Sequence, residues 1–390
     1  MQTYPSLPDL YAGLAAENDP NDVLIIPHAH QPGDWRQTNP DMERLVEIVS
    51  NHGTFEWFGR YYLANGAELG FVGGSDDHNS HPGLAVTRND IQNRSGILAL
   101  RAPQLTTDAI FDALRDKRSY ATTGAHILMD VNVNGTEPGR HAPFSPERRI
   151  QARISGTAPL SELAIIKNGK EIWTRNLSVG QASGDIQRIR INLESSSEPF
   201  KGQFDFPRGW HVWKGTIKVE GATLVDVKPE GLHNRFYYAR LAAADPSTVE
   251  FSAKTRGYVE GFILEVKDIS PSARLAVHVE TTQEIYELPY KTRKPNQLLD
   301  GADFAFALAE LAKAPAEHVF KYEDFYADVL SAHFDDGKPV YDISIDETDR
   351  DTPRAGDTYY VRAMQVDGHT AWSSAVWVGT AEKKVAAPKP

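Results

Sequence analysis

Apolar and polar positions change rhythm once along the chain, near residue 125. Before it, short apolar runs such as Val23–Ile26 and Leu69–Val72 alternate with helix-spaced segments. Pro8–Ala16 places Leu10, Tyr11 and Leu14 near helical spacing. Asp41–Ile48 reads as a helix running into a strand around Val46–Val49, and Glu56–Gly66 as another helix. Thr106–Lys117 is a capped helix, with Thr106 or Thr107 at its start and Ile110, Phe111 and Leu114 on its apolar face. Helices alternating with short, fully apolar strands predict a parallel sheet or barrel over residues 1–125.

From about residue 126 to the end the pattern is period two: MDVNVNG, RIQARISG, RIRINLE, GTIKVEG, STVEFSA. Asn134-Gly135 and Asn168-Gly169 are hairpin turn signals, and Asp367-Gly368 joins a last strand pair. A β-sandwich region over 126–390 follows, with a second β subdomain inserted at about 196–350. Phe304–Lys313 reads as an isolated helix within it, capped by Asp303.

At 390 residues, the prior is two or more domains. Lys plus Arg number 41 against 53 Asp plus Glu, a net charge of -12. That balance argues against nucleic acid or an anionic membrane as the main partner. No run is long and apolar enough to span a bilayer. There is no cysteine, which excludes disulfides and thiolate ligands. Absent thiols and β-rich accessory domains lean toward a periplasmic or secreted location.

The chemistry gathers in the first third. Five of the 13 histidines, His28, His30, His52, His78 and His81, precede residue 82 and fall just after predicted strands. In extended chain, positions i and i+2 point the same way, so Asp76 and His78 converge, as do His28 and His30. A carboxylate and imidazoles at strand ends suit a divalent cation: zinc, manganese or iron. Plainer readings exist for each. Asp76–His78 can be an Asx turn, His28 and His30 a surface turn before Pro32-Gly33, and His52 a packed or capping histidine. Glu47 can orient a ligand rather than bind metal, and His81 reads as loop. Glu47, Glu56 and Arg118 are the candidate catalytic residues. Arg118, after the Thr106 helix, either steadies an anionic substrate or holds the helix C-terminus.

VLIIPHAHQPGDW, LVEIVSNHGTFEW, LGFVGGSDDHNSHPG and LRDKRSYATTG resemble, in order and spacing, the later motifs of the PHP (polymerase and histidinol phosphatase) superfamily. Within it they are similar to the DUF3604 group of metallohydrolases, and YYVRAMQVDGHTAWSSAVWV resembles that group's last strand pair. The resemblance implies a distorted (β/α)7 barrel with a two- or three-metal site, hydrolysing small-molecule phosphoesters, carboxylic esters or related bonds. By position it implies His28 or His30, Asp76 and His78 as metal ligands, with Glu47 and His52 in the E-I-x-S-x-H-G segment. The family's opening H-x-H strand has no counterpart here. The expectation is therefore the C-terminal portion of the barrel, with part of the metal set supplied by a separate segment. The alternative is an accessory sandwich that binds carbohydrate without catalysis, with Trp210, Trp213, Tyr237 and Tyr238 as stacking or core residues. A third reading is a fragment without activity of its own.

Overall fold

A computed structural model of the protein describes residues 4–29, 33–77, 94–177, 184–199, 207–283, 286–287, 292–293, 297–321, 327–335 and 337–380. Strands take 48% of the residues and helices 11%, which overturns the (β/α)7 barrel expected for the first third. Two β-sandwiches make up the bulk, and a small layer with parallel strands rests on one of them.

That layer contains helix α1 (Leu7–Glu17), strands β1 (Leu45–Ser50), β2 (Gly53–Thr54) and β3 (Gly70–Gly73), and helix α2 (Glu56–Ala64). β1 and β3 are parallel, with Glu47 opposite Val72. On the other side of β1 the segment 23–28 makes only isolated parallel bridges, Ile25 to Glu43 and His28 to Glu47. Among the described residues the parallel rows stop at these three, and no closed sheet forms. The apolar runs that suggested a barrel are buried by other means. Val46, Ile48 and Phe71 share one core with Phe58 and Tyr62 of α2 and with Ala164, Ile166 and Tyr360 of the neighbouring sheet. A strand covered on both faces loses its polar alternation whatever covers it, so the pattern alone does not separate barrel from layer. Asp41–Ile48 is likewise not a helix: Glu43 follows a turn, and β1 begins at Leu45.

The neighbouring sheet is mostly antiparallel. It runs Lys170–Asn176, Leu160–Lys167, Asp357–Gln365, Thr370–Ser373, then β5 (Ser119–Thr122) and β4 (Ile97–Leu100), with helix α3 (Thr107–Arg115) connecting the last two. Alternation shows directly on its second strand. Leu163 and Ile165 face the sandwich interior, while Ala164 and Ile166 face α2. A three-stranded sheet, Asp342–Asp349, Arg148–Ser155 and Leu128–Val133, closes that interior. The turns are the ones the sequence signals. Asn168 and Gly169 both take positive φ (51° and 76°), as a two-residue hairpin of matching twist requires.

The second sandwich is set into the first between Asn176 and Asp342. One five-stranded sheet runs Thr223–Lys228, Val259–Lys267, Gln187–Glu194, Ala327–Phe334, Ala316–Lys321. The other runs Tyr238–Leu241, Thr248–Thr255, His211–Glu220, Arg274–Gln283, Gln297–Ala307. The Phe304–Lys313 helix expectation fails here. Phe304–Ala307 finishes a strand, and only Leu308–Leu311 turns into helix. Phe306 is buried while Ala305 and Ala307 are exposed, a period of two that the run of small and apolar letters hides. No described helix is long and apolar enough to cross a membrane.

Candidate functional site

Because the three rows are parallel, residues that follow them emerge at one end. His28 closes the first row beside Glu47. β1 ends at Ser50 and turns through Asn51-His52 into β2; the His52 backbone N–H donates to Ser50 Oγ at 3.2 Å. β3 ends at Gly73 and runs through Gly74 and Ser75 to Asp76. There His52 Nε2 lies 3.2 Å from Asp76 Oδ2, with both side chains partly open to solvent. Asn51 Nδ2 donates to the Asp76 carbonyl at 2.5 Å.

Two backbone features make that approach feasible. Asp76 has φ of 46°, the left-handed region that Asp tolerates better than most residues. The Glu47 carboxylate lies directly on the α-carbon of Gly74, where any Cβ would collide with Oε2. Gly74, just past the strand, is thus space for an acid group. Burial, then the charge of Asp76, pushes the Glu47 carboxyl up to about 8.

The second sandwich grips this end. Arg256, 2% exposed, donates from Nη1 to the His52 carbonyl at 3.0 Å and from Nε to the Arg208 carbonyl at 2.6 Å. The Thr54 backbone N–H donates to the Arg256 carbonyl at 3.0 Å. Gly257, at φ of 76°, packs so tightly on the Thr54 carbonyl that a side chain has no room. Neither Asn51 nor Arg256 stands out in the sequence. Arg256-Gly257 is only a turn between two alternating runs until the fold carries it to His52.

The other expected residues lie elsewhere. Glu56, at the start of α2, accepts hydrogen bonds from Tyr360 Oη (2.5 Å) and Trp372 Nε1 (2.9 Å) and pairs with Arg362 at 3.2 Å. Burial opposes its charge, but Arg362 and Arg60 hold its carboxyl below the usual range. It anchors α2 to the sheet and does not join the His52–Asp76 pair. Arg118 lies 3.6 Å from Glu137 on the flank of the first sandwich, which removes it as a partner of the site. His30, His78 and His81 lie outside the described residues. Among the described residues no three His, Asp or Glu side chains form a ready metal cage.

A separate cleft separates the two sandwiches, formed of two adjoining cavities of 250 and 320 Å³ that share Glu162, Glu194, Val259 and Met364. Arg362 sits in its wall, holding Glu162 as well as Glu56. Trp210 and Trp213 are 1% and 0% exposed, so both are core. Tyr237 is buried too, and Arg240 stacks over the Tyr238 ring at 4.5 Å.

No family model matches the chain, and no solved structure matches it. It is similar to three uncharacterized chlamydial proteins. The identities are 26% over 172 residues with one from Chlamydia pneumoniae and 28% over 119 residues with one from Chlamydia muridarum. A protein of Chlamydia trachomatis serovar D is 25% identical over 158 residues. These stretches cover 36%, 29% and 33% of this chain, and 27%, 19% and 25% of the relatives.

Proposed function

We propose that the end of the parallel rows carrying Glu47, His52 and Asp76 is part of a divalent-metal site that hydrolyses phosphoester, carboxylic ester or related bonds in small molecules. The observation that carries this reading is the pairing of His52 with Asp76 beside a second, enclosed carboxylate, Glu47. Two acid groups placed together in a partly desolvated pocket repel each other, and a cation relieves that repulsion. The donors are imidazole nitrogen and carboxylate oxygen, a set that suits zinc, manganese or iron. His28 stands on the adjoining row beside Glu47, and the motif resemblance adds His30 and His78 to the proposed ligands.

The metal, when bound, lowers the pKa of a coordinated water and polarises the bond to be cut. The chain's own residues do the positioning. Asn51 fixes the Asp76 backbone, Arg256 fixes the His52 loop, and Gly74 lets Glu47 approach. Such outer supports set the orientation of the ligating groups. The competing reading, a carbohydrate-binding sandwich, draws less support, since Trp210, Trp213 and Tyr237 are buried and the part-exposed Tyr238 ring is covered by Arg240.

The test is metal content by mass spectrometry on the purified chain, with hydrolysis of p-nitrophenyl phosphate and acetate assayed before and after chelation. Bound metal and chelator-sensitive turnover, both lost in Asp76→Asn and His52→Ala, support the proposal. Metal-free protein whose turnover ignores chelator and both substitutions overturns it.

A further inference from the structure

At the other end of β1, before the strand begins, Glu43 and Arg44 are both buried, at 2% and 7% exposure. They line a cavity of 160 Å³ together with Pro40, Asn65 and Glu68. Neither charge is neutralised in the usual way. Glu43 Oε1 accepts the Tyr11 hydroxyl, while Oε2 has no hydrogen bond among the described residues. The Tyr62 hydroxyl, also fully buried, lacks one as well. Arg44 donates from Nε to the Arg115 carbonyl at 3.0 Å and from Nη1 to the Pro40 carbonyl at 3.3 Å. No described carboxylate pairs with it. Three other buried arginines meet acids, Arg148 with Asp349, Arg190 with Asp335 and Arg208 with Asp328, whereas Arg256 is held by the His52 and Arg208 carbonyls away from any cavity wall that carries an acid. Glu68, the remaining acid in the cavity, is already matched by His141 at 3.2 Å.

A buried acid and a buried guanidinium that share a cavity without pairing call for a ligand carrying both opposite charges. We propose that this cavity binds a small zwitterion, an amino acid whose ammonium group meets Glu43 and whose carboxylate meets Arg44. Burial supports the same assignment by pushing the Glu43 carboxyl up to about 7, against the Tyr11 hydroxyl and the Asn39 backbone N–H; an ammonium group restores its charge. A void of this size takes about six heavy atoms, since an apolar cavity of roughly 150 Å³ accommodates benzene. Glycine and alanine are within that limit. A buried water satisfies Oε2 alone and leaves Arg44 without an anion.

The experiment is calorimetric titration of the full chain with glycine and L-alanine, and with ethylamine and propionate, which each keep one charge and are no larger than the zwitterions. The expected result is binding of the zwitterions, with a loss of about tenfold or more for each single-charge analogue, the worth of one charge-assisted contact. Glu43→Gln weakens the zwitterions by a similar factor while metal uptake at the other end of β1 is unchanged. Absence of zwitterion binding at about 10 mM overturns the proposal, as does equal binding of ethylamine or propionate. If Glu43→Gln fails to fold, the analogue series on the unmodified chain still decides.

Discussion

Arg256 Nη1 donates to the carbonyl oxygen of His52 at 3.0 Å, across 204 positions of the chain. Its guanidinium also stacks over Trp210 at 4.4 Å and over Phe55 at 5.3 Å. The inserted sandwich therefore reaches the His52 carbonyl through one buried side chain. Arg256→Ala strands two carbonyls, each worth about 1–3 kcal/mol when left unsatisfied, so a loss of about 3 kcal/mol is expected in urea unfolding. Arg256→Lys keeps the charge without the planar fork and is expected to recover only part of it. A loss under about 1 kcal/mol for the alanine variant would show that the contact does not hold the loop.

Asp76→Asn separates the site's chemistry from its fold. Asparagine tolerates φ of 46° as well as aspartate does, and the change removes a charge that repels Glu47. Stability is expected to stay within about 1 kcal/mol of the parent, while metal affinity falls tenfold or more. The measurement pairs a melting curve with metal-to-protein ratios after dialysis against limiting manganese or zinc. A variant that retains metal like the parent removes Asp76 from the proposed ligand set.

How much of this was legible depended on whether the signal was local. Asn168-Gly169 declares its hairpin because two consecutive positive φ angles exclude most other residues. Thr106 declares a helix because its hydroxyl accepts the Ala109 N–H one turn on. The juxtaposition of His52 and Asp76 was anticipated only as a cluster after strands, without partners. The barrel expectation fails because the apolar side chains of Leu45–Val49 and Leu69–Val72 are covered by residues far along the chain, Tyr360 and Ile166 among them. Glu56 looked like chemistry for the same reason: its partners, Arg362, Tyr360 and Trp372, lie some 300 residues later. Nothing near either stretch announces those contacts.

Glu47 makes a pH prediction. Its folded carboxyl is raised to about 8 from an ordinary value near 4.5, so the folded state binds the proton more tightly than the unfolded one. The sign follows: this group costs stability as pH rises above about 4.5, and the cost is complete once pH passes 8. Glu43 and Glu260, raised to about 7 and 8, tilt the parent's curve the same way, so the comparison must be with a variant. Glu47→Gln is expected to gain stability over the metal-free parent by more than about 1 kcal/mol at alkaline pH, and little near pH 4. Added manganese is expected to stabilise the parent more at pH 8 than at pH 5, because ligands must shed their protons. Equal stabilisation at both would place Glu47 away from the cation.

A buried ion network lies inside the first sandwich. Arg148 Nη2 is 2.7 Å from Asp349 Oδ2, which also accepts from Lys167 Nζ (2.8 Å) and Tyr359 Oη (2.7 Å). Burial alone would raise the Asp349 carboxyl, but Lys167, Tyr359, the Asp351 backbone N–H and Arg148 together hold it far below the usual carboxylate range. A depressed acid contributes stability above its unfolded pKa, near 4, and loses it as pH falls toward the folded value. Asp349→Asn leaves the Arg148 charge buried without its acid, at an expected loss of about 3–5 kcal/mol near neutral pH. The gap between parent and variant should narrow below about pH 4, since acid does to the parent what the substitution has already done. A paired replacement, Arg148→Met with Asp349→Leu, is expected to lose less than the single change, because it removes both charges rather than orphaning one. Urea midpoints from pH 7 to pH 3 for the three proteins check all of this. A double variant less stable than Asp349→Asn would mean that the remaining contacts of Arg148, to Tyr359 Oη at 2.9 Å and to two backbone carbonyls, matter more than its charge partner.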